Sequence, residues 1–466
     1  MYKVSKTYKN LRFSDEVLKF IVIGLIILSA VVFVNFFNVK LSNVVNSWDS
    51  KVYKGVTVNN VDVSGFSEST LKQFLMTNFS GESEEGNVAF KLGDKTVNIS
   101  YKDLGFTYDY DKAVNEAFNF YKDASHFKKL IQILKTEDRL NINLVPKFDV
   151  TNNIDNVYNK ISESFSVKPI DATVSIVDGQ VVVTESQNGI EINKDSLVSL
   201  INNSTPSNAS QNGIEVTTKS VDPQISSQTL SKINGKISSY TTSYKSSNEG
   251  RAGNIELSAN SINGQLLMPG ESFSFNKIVG PRTKERGYKD APIIIGNIYE
   301  SGLGGGICQT SSTLHQAVVT AGIIPTQRRS HSLPTSYMPL GYDAAVAWGS
   351  LDYVFKNPYS FPILIDVSTA GRNLTISIYG DVTAIDKSYA VVAEKYESVP
   401  FTTKYIKDDT ILNGKEVVEK NGSNGTKVKV YILTKDKRSG EVLDKKLTWN
   451  DYYVAQQRVI RVGTKR

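Results

Sequence analysis

One cysteine, three histidines and three tryptophans in 466 residues are the scarcities of this chain, and they exclude more than any single motif. With one thiol, Cys308, no intrachain disulfide can form, so the fold is held by buried apolar surface. His126, His315 and His331 beside that lone cysteine fall short of the ligand clusters of a zinc site, so no metal is expected. P-loop, dinucleotide-binding and GxSxG signatures are missing, and no cofactor is expected. The formal net charge is only +6, and about half of it sits in the first nineteen residues. The remainder is too weakly basic for a nucleic-acid footprint.

What is present begins with Phe20 to Phe37, FIVIGLIILSAVVFVNFF, 18 residues without a formal charge. That is long enough to span a bilayer. Lys3, Lys6, Lys9, Arg12 and Lys19 outnumber Asp15 and Glu16 before it, which by the positive-inside rule keeps residues 1–19 in the cytoplasm. The run ends in bulky VFVNFF and not in the small residues of a signal-peptidase site, so an uncleaved anchor over 20–37 is expected. A polar stalk over 38–53 and an extracellular remainder follow from that topology.

The length suits about three domains, and the texture is α+β. Val56, Val58, Val61 and Val63 alternate as in a strand, and Ser67-Glu68 opens a helix. Sliding the chain on itself aligns Val88–Phe118 with Thr173–Ile201. Each copy reads strand, turn (Gly93-Asp94 or Asp178-Gly179), strand, a glycine (Gly105 or Gly189), and a helix from Asp111 or Asp195. Two copies of a small α+β module are therefore expected, with helix over 113–134 and 153–165 between them and His126 on the surface. STPSNASQNG within 204–227 reads as a loop. Strands at 363–367 and 374–378 pair around Ala370-Gly371, and from Ile385 short strands alternate with turns at Asn413-Gly414 and Asn421-Gly422.

The central stretch is GGGICQTSSTLHQAVVTAG, Gly304 to Gly322. Leu314, Ala317, Val318 and Ala321 recur at helical spacing, so the glycines deliver Cys308 to a helix start. There the helix dipole and unpaired N–H groups favour thiolate over thiol. The plainer alternative is a cysteine packed as a small hydrophobe. A cysteine nucleophile needs an imidazole. His315, seven residues along the helix, lies about 10 Å up its axis, which leaves His331 in RRSHS. Asp343 or Asp352 would orient that ring, with Asp343 preferred. Arg328 and Arg329 could clamp a substrate carboxylate, and the N–H groups of Cys308 and Gln309 could hold an oxyanion.

These residues carry a resemblance. PGESFSFN at Pro269–Asn276, GGGICQ at Gly304–Gln309, HS at His331 and YDAAV at Tyr342 resemble, in order, the VanW domain. The repeats resemble peptidoglycan-binding domains, and the tail, with VPFTT from Val399 and a closing VGTK, is similar to a G5 domain. The implied architecture is an α+β multidomain chain: binding modules over 54–235, a VanW domain over 236–380 and an all-β G5 domain over 385–466. Gly306 and Ser332 fall within the matching elements and join Gln309, Arg328 and Arg329 as substrate-binding candidates. Some anchored members of this architecture are linked to L,D-transpeptidase activity. The resemblance thus implies a cell-wall enzyme forming 3-3 crosslinks between peptidoglycan stems through a Cys308 thioester, with His331 and Asp343 assisting. The SHGC motif of the better-known L,D-transpeptidases is absent. The alternatives are a non-catalytic wall-binding protein, or a cysteine peptidase or carboxypeptidase acting on stem peptides. In every case the partners are peptidoglycan and, through the anchor, the membrane.

Overall fold

A computed structural model describes residues 14–80, 84–295 and 298–466. Lys3, Lys6, Lys9 and Arg12, the cations of the expected cytoplasmic tail, lie outside the described residues. The apolar run lies inside a helix from Asp15 to Asn46, 32 residues long. Its apolar side chains are exposed through Val39, and near its end Val45 packs with Tyr53 and Ile133. A helix that is hydrophobic on all sides and covered on none is suited to lipid, and by length and composition it can cross a membrane.

The chain divides into two compact units, residues 1–168 with 189–221, and 169–188 with 222–466. In the first unit side chains cap three helix starts: the Ser67 hydroxyl accepts from Thr70 N–H, Asp109 from Lys112 N–H and Asn193 from Ser196 N–H. The expected helix over 113–134 is broken into Tyr110–Asn119 and His126–Lys135, with Tyr121 at positive φ between them, and His126 is exposed. The expected loop over 204–227 is instead partly ordered. Pro206 at the first helical turn starts a helix to Asn212, and strands Ile214–Glu215 and Thr218–Val221 follow.

The repeat recurs in secondary structure, but a copy is not a folding unit. One core joins Val56, Val58, Leu71 and Leu75 to Ala113, Val114 and Ala117 from the first copy's helix. A second joins the first copy's hairpin, through Val88, Phe90 and Ile99, to Ile192, Leu197 and Ile201 of the second copy. The second copy's own hairpin, Val174–Val177 with Gln180–Val183, belongs to the other unit and packs there with Leu230, Ile233, Leu364 and Tyr379. Two cores of the first unit thus each join a hairpin to the helix that follows the next hairpin. Periodicity shows which pieces recur but not which recurring pieces bury one another.

The second unit holds an antiparallel sheet ordered Gly235–Ser243, Asn373–Gly380, Ile363–Ser368, Gln265–Leu267. The helices Glu249–Ile262 and Ile307–Thr320 pack into its core. The C-terminal region is all β, and its strands are longer than the short ones expected, up to 13 residues in Lys387–Val399. One of its two sheets pairs Lys387–Val399 with Gly425–Asp436 and that strand with Val442–Tyr453. Val319 of the cysteine-bearing helix shares a core with Val391, Val428, Val430, Ile432 and Tyr453 of this sheet. That helix is thus covered from both sides. This explains why Gln309 to Gln316 are buried along with its apolar face.

Candidate active site

Three glycines bring the chain into the Cys308 helix because three neighbours approach too closely for side chains. A Cβ on Gly304 would lie 3.0 Å from Arg282 Cγ, one on Gly305 2.6 Å from the Ala291 backbone, and one on Gly306 3.0 Å from Arg251 Cγ. Asn254 fixes the turn, donating from Nδ2 to the Gly305 and Lys289 carbonyls at 2.9 Å. Gly306 caps the helix with φ of 107°, a conformation costly for any other residue. Cys308 is the second residue of the helix and half-buried. Its amide makes no hydrogen bond among the described residues, whereas the Gln309 N–H is committed to Gly306 O at 2.9 Å. Of the two expected oxyanion donors, only the Cys308 amide is uncommitted.

The His331 ring lies close enough to Cys308 for each to act on the other's charge, and Cys308 Sγ donates to the Val346 carbonyl at 3.4 Å. On its other side, His331 Nδ1 meets Asp343 Oδ2 at 2.5 Å, and the His331 backbone N–H donates to the same oxygen at 2.6 Å. Burial works against charge on all three groups. For His331 the carboxylate and the sulfur overcome it, lifting the imidazole to about 10. For Asp343 the imidazole and Arg328 hold the carboxyl down at about 2. For Cys308 the neighbouring His331 and the charge of Arg282 bring the thiol below its ordinary value. All three shifts run towards a thiolate–imidazolium pair backed by a carboxylate. Asp352 is elsewhere: its oxygens accept from Ser274 Oγ and from the Asn276 and Tyr353 amides. His315 is fully buried between the rings of Tyr353 and Trp449, and burial depresses its pKa so that it stays neutral.

Several expected substrate contacts are not available. The Arg328 side chain is 1% exposed and forms an ion pair with Asp451 at 2.6 Å while donating to the Asp343 carbonyl at 2.8 Å. It is structural and not a clamp for substrate. The Gln309 side chain is fully buried and donates to Thr242 Oγ1 and the Ser243 carbonyl, both at 3.0 Å. Arg329 is exposed, with its carbonyl receiving the Ala345 amide, and the Ser332 carbonyl receives Val454 N–H. No described contact joins either side chain to the sulfur.

Other groups come close instead. Arg251 and Arg282 both interact with the charge of Cys308, and the ring of Tyr337, kept neutral by burial, lies 5.7 Å from the Arg251 guanidinium. From the C-terminal sheet, Tyr453 donates to Asp343 Oδ1 at 2.5 Å and receives the Gly341 amide at 2.6 Å. With Asp451 and Trp449 it places the C-terminal region behind the imidazole. Sequence reasoning missed these. Arg282 stands in the motif-bearing stretch after PGESFSFN and could have been weighed, but Tyr453 is 110 residues from Asp343 and no local signal marks it.

Comparison with known proteins finds three matching segments. The family model described as "VanW like protein" matches residues 250–379, "Putative peptidoglycan binding domain" matches 97–212, and "G5 domain" matches 391–465. The chain is 45% identical over 158 residues to the uncharacterized protein YoaR of Bacillus subtilis, covering 34% of this chain and 52% of that one. It is 28% identical over 138 residues to the vancomycin B-type resistance protein VanW of Enterococcus faecalis, covering 28% and 50%. The chain thus spans about half the length of each of these relatives. Among solved structures, the G5 domain of IgA1 protease aligns with 18% of this chain and 96% of its own, at 16% identity and a TM-score of 0.14. HP0197-G5 aligns with 16% and 99%, at 23% identity and a TM-score of 0.11. VanW-like, peptidoglycan-binding and G5 segments are all present, and together they support a cell-wall-associated protein.

Proposed function

From a chain that carries VanW-like, peptidoglycan-binding and G5 segments, we propose a membrane-anchored cysteine acyltransferase, an L,D-transpeptidase that forms 3-3 crosslinks in peptidoglycan. The observation that carries this reading is the hydrogen-bonded pair His331–Asp343 beside Cys308 at a helix start, with the thiol shifted towards its ionised form. The N-terminal helix holds the chain in the membrane with its bulk facing the wall, and the peptidoglycan-binding segment keeps it among its substrates.

Cys308 thiolate attacks the carbonyl that joins the third residue of a tetrapeptide stem to its terminal D-alanine. The oxyanion forms at the helix N-terminus, next to the uncommitted Cys308 amide. The His331 imidazolium donates its proton to the departing amine, D-alanine leaves, and a thioester remains. An amine on the third residue of a neighbouring stem then attacks the thioester carbonyl and gives a proton to neutral His331. Collapse makes the new amide and restores the thiolate–imidazolium pair. Asp343 holds the ring with Nδ1 away from the sulfur throughout.

The test is incubation of the purified chain with a disaccharide tetrapeptide and mass spectrometry of the products. Dimers linked 3-3 that vanish in Cys308→Ala are expected. Tripeptide released without dimer would assign a carboxypeptidase, and products unchanged in Cys308→Ala would retire the cysteine mechanism.

A further inference from the structure

Arg282 adds its charge to the Cys308 sulfur, but the chemistry above gives neither it nor Arg251 a substrate group to hold. Arg282 and Arg251 lie with their stems against Gly304 and Gly306, the residues that lead into the cysteine. Both are half-buried. Arg251 donates from Nη1 to Ser247 Oγ at 2.6 Å, and Arg282 donates to the Gly280 carbonyl at 2.9 Å and to Asn276 Oδ1 at 2.7 Å. These acceptors are all neutral, and among the described residues neither guanidinium pairs with a carboxylate at ion-pair distance. Asp352 lies in the field of Arg282, but its oxygens are spent on Ser274, Asn276 and Tyr353. Each guanidinium has five N–H donors, so both keep donors to offer.

Two buried hydroxyls beside them are also unsatisfied. Tyr288 is 2% exposed and near Arg282, and Tyr337 stands against Arg251; neither hydroxyl has a hydrogen-bond partner among the described residues. Half-buried cations without anions and buried hydroxyls without partners are costly unless a ligand completes them. The group that would satisfy both is a small planar anion, and guanidinium geometry favours a carboxylate. Trp348, 53% exposed, lies 5.8 Å from the Arg282 guanidinium and forms an open aromatic wall at this place.

We propose that Arg282 and Arg251 form a carboxylate site beside Cys308 that holds the free C-terminal carboxylate of the acyl donor's departing residue. The inference rests on the acyl-transfer reading and narrows its donor. Stems that end in a free acid one residue beyond the scissile bond are taken, and amidated or extended stems are refused. It gives to Arg251 and Arg282 the role that the sequence had offered to Arg328 and Arg329.

Alkylation of Cys308 tests the site without any crosslinking. Iodoacetate and iodoacetamide differ by a carboxylate, and the ratio of their rates cancels any change in thiolate population. In the folded protein the iodoacetate-to-iodoacetamide ratio is expected to exceed that of the same chain in denaturant by about ten- to a hundred-fold, the range of a charge-assisted hydrogen bond. Arg282→Gln and Arg251→Gln bring it back towards the denatured ratio, and Arg282→Lys retains part of it while showing that the fold survives. Equal ratios in folded and denatured chains, or a folded ratio that neither glutamine variant lowers, overturn the proposal. A chain that keeps the preference but makes no product from tetrapeptide stems retires acyl transfer and leaves the carboxylate site. One that crosslinks stems without the preference does the reverse.

Discussion

Replacing Asp343 by Asn removes one charge from a buried series and leaves shape almost unchanged. The carboxylate accepts from His331 Nδ1 at 2.5 Å and is a main reason why the imidazole is lifted from 6.5 to about 10. A hydrogen bond to a charged group is worth about 1.5–3 kcal/mol, and one pH unit corresponds to about 1.4 kcal/mol. Asp343→Asn should therefore lower His331 by about 1–2 units. The sign follows from which form is favoured. A raised histidine contributes stability that is full below its unfolded value and is lost as pH rises through about 10. Asp343, held at about 2, contributes stability present above the ordinary carboxylate range and lost only as pH falls towards 2. In the variant the imidazolium is lost nearer pH 8–9, by the same estimate. Both alkaline limbs, of thermal stability and of turnover, should move down together. The assay is turnover on tetrapeptide stems across pH, paired with melting temperature on the same samples. If the alkaline limb stays in place in Asp343→Asn, the carboxylate does not set the imidazole, and the reasoning from this geometry fails.

Three further outcomes are expected. Tyr453→Phe leaves Asp343 Oδ1 and the Gly341 amide without their buried partner, so stability should drop by about 1–3 kcal/mol and the Cys308 alkylation rate should fall with it; an unchanged rate would detach the C-terminal sheet from the site. Gly305→Ala should unfold or inactivate the chain more severely than Gly304→Ala, because its Cβ would meet backbone at 2.6 Å and backbone cannot swing aside, whereas the neighbours of Gly304 are side chains; equal effects in thermal melts would refute this. Deleting the apolar helix should move the protein from the membrane fraction to the soluble fraction with Cys308 reactivity retained, and persistence in the membrane fraction would show that the helix is not the anchor.

What the amino-acid order determined by itself was local. An uninterrupted apolar run has one way to satisfy its backbone in lipid, and capping residues start helices wherever they fall. Glycines before a periodic stretch mark a turn into a helix, so the placement of Cys308 near a helix start was legible, as was the distance that ruled out His315. Only the tertiary structure decided what meets that helix. Its burial on all sides follows from two sheets packing on it, and no periodicity in its own residues announces the second one. The choice between Asp343 and Asp352 depended on the path of the chain after His331, because both carboxylates lie within reach in sequence. Arg328 faces Asp451 and not a substrate, since a guanidinium this deep needs an anion and the C-terminal sheet supplies one. The same holds for the repeat: the sequence displays two like segments, but the first copy's hairpin shares a core with the second copy's helix, while the first copy's helix and the second copy's hairpin pack on residues outside the repeat. Local patterns are set by neighbours along the chain, whereas burial and charge pairing are set by neighbours in space, and the chemistry of Cys308 depends on the second kind.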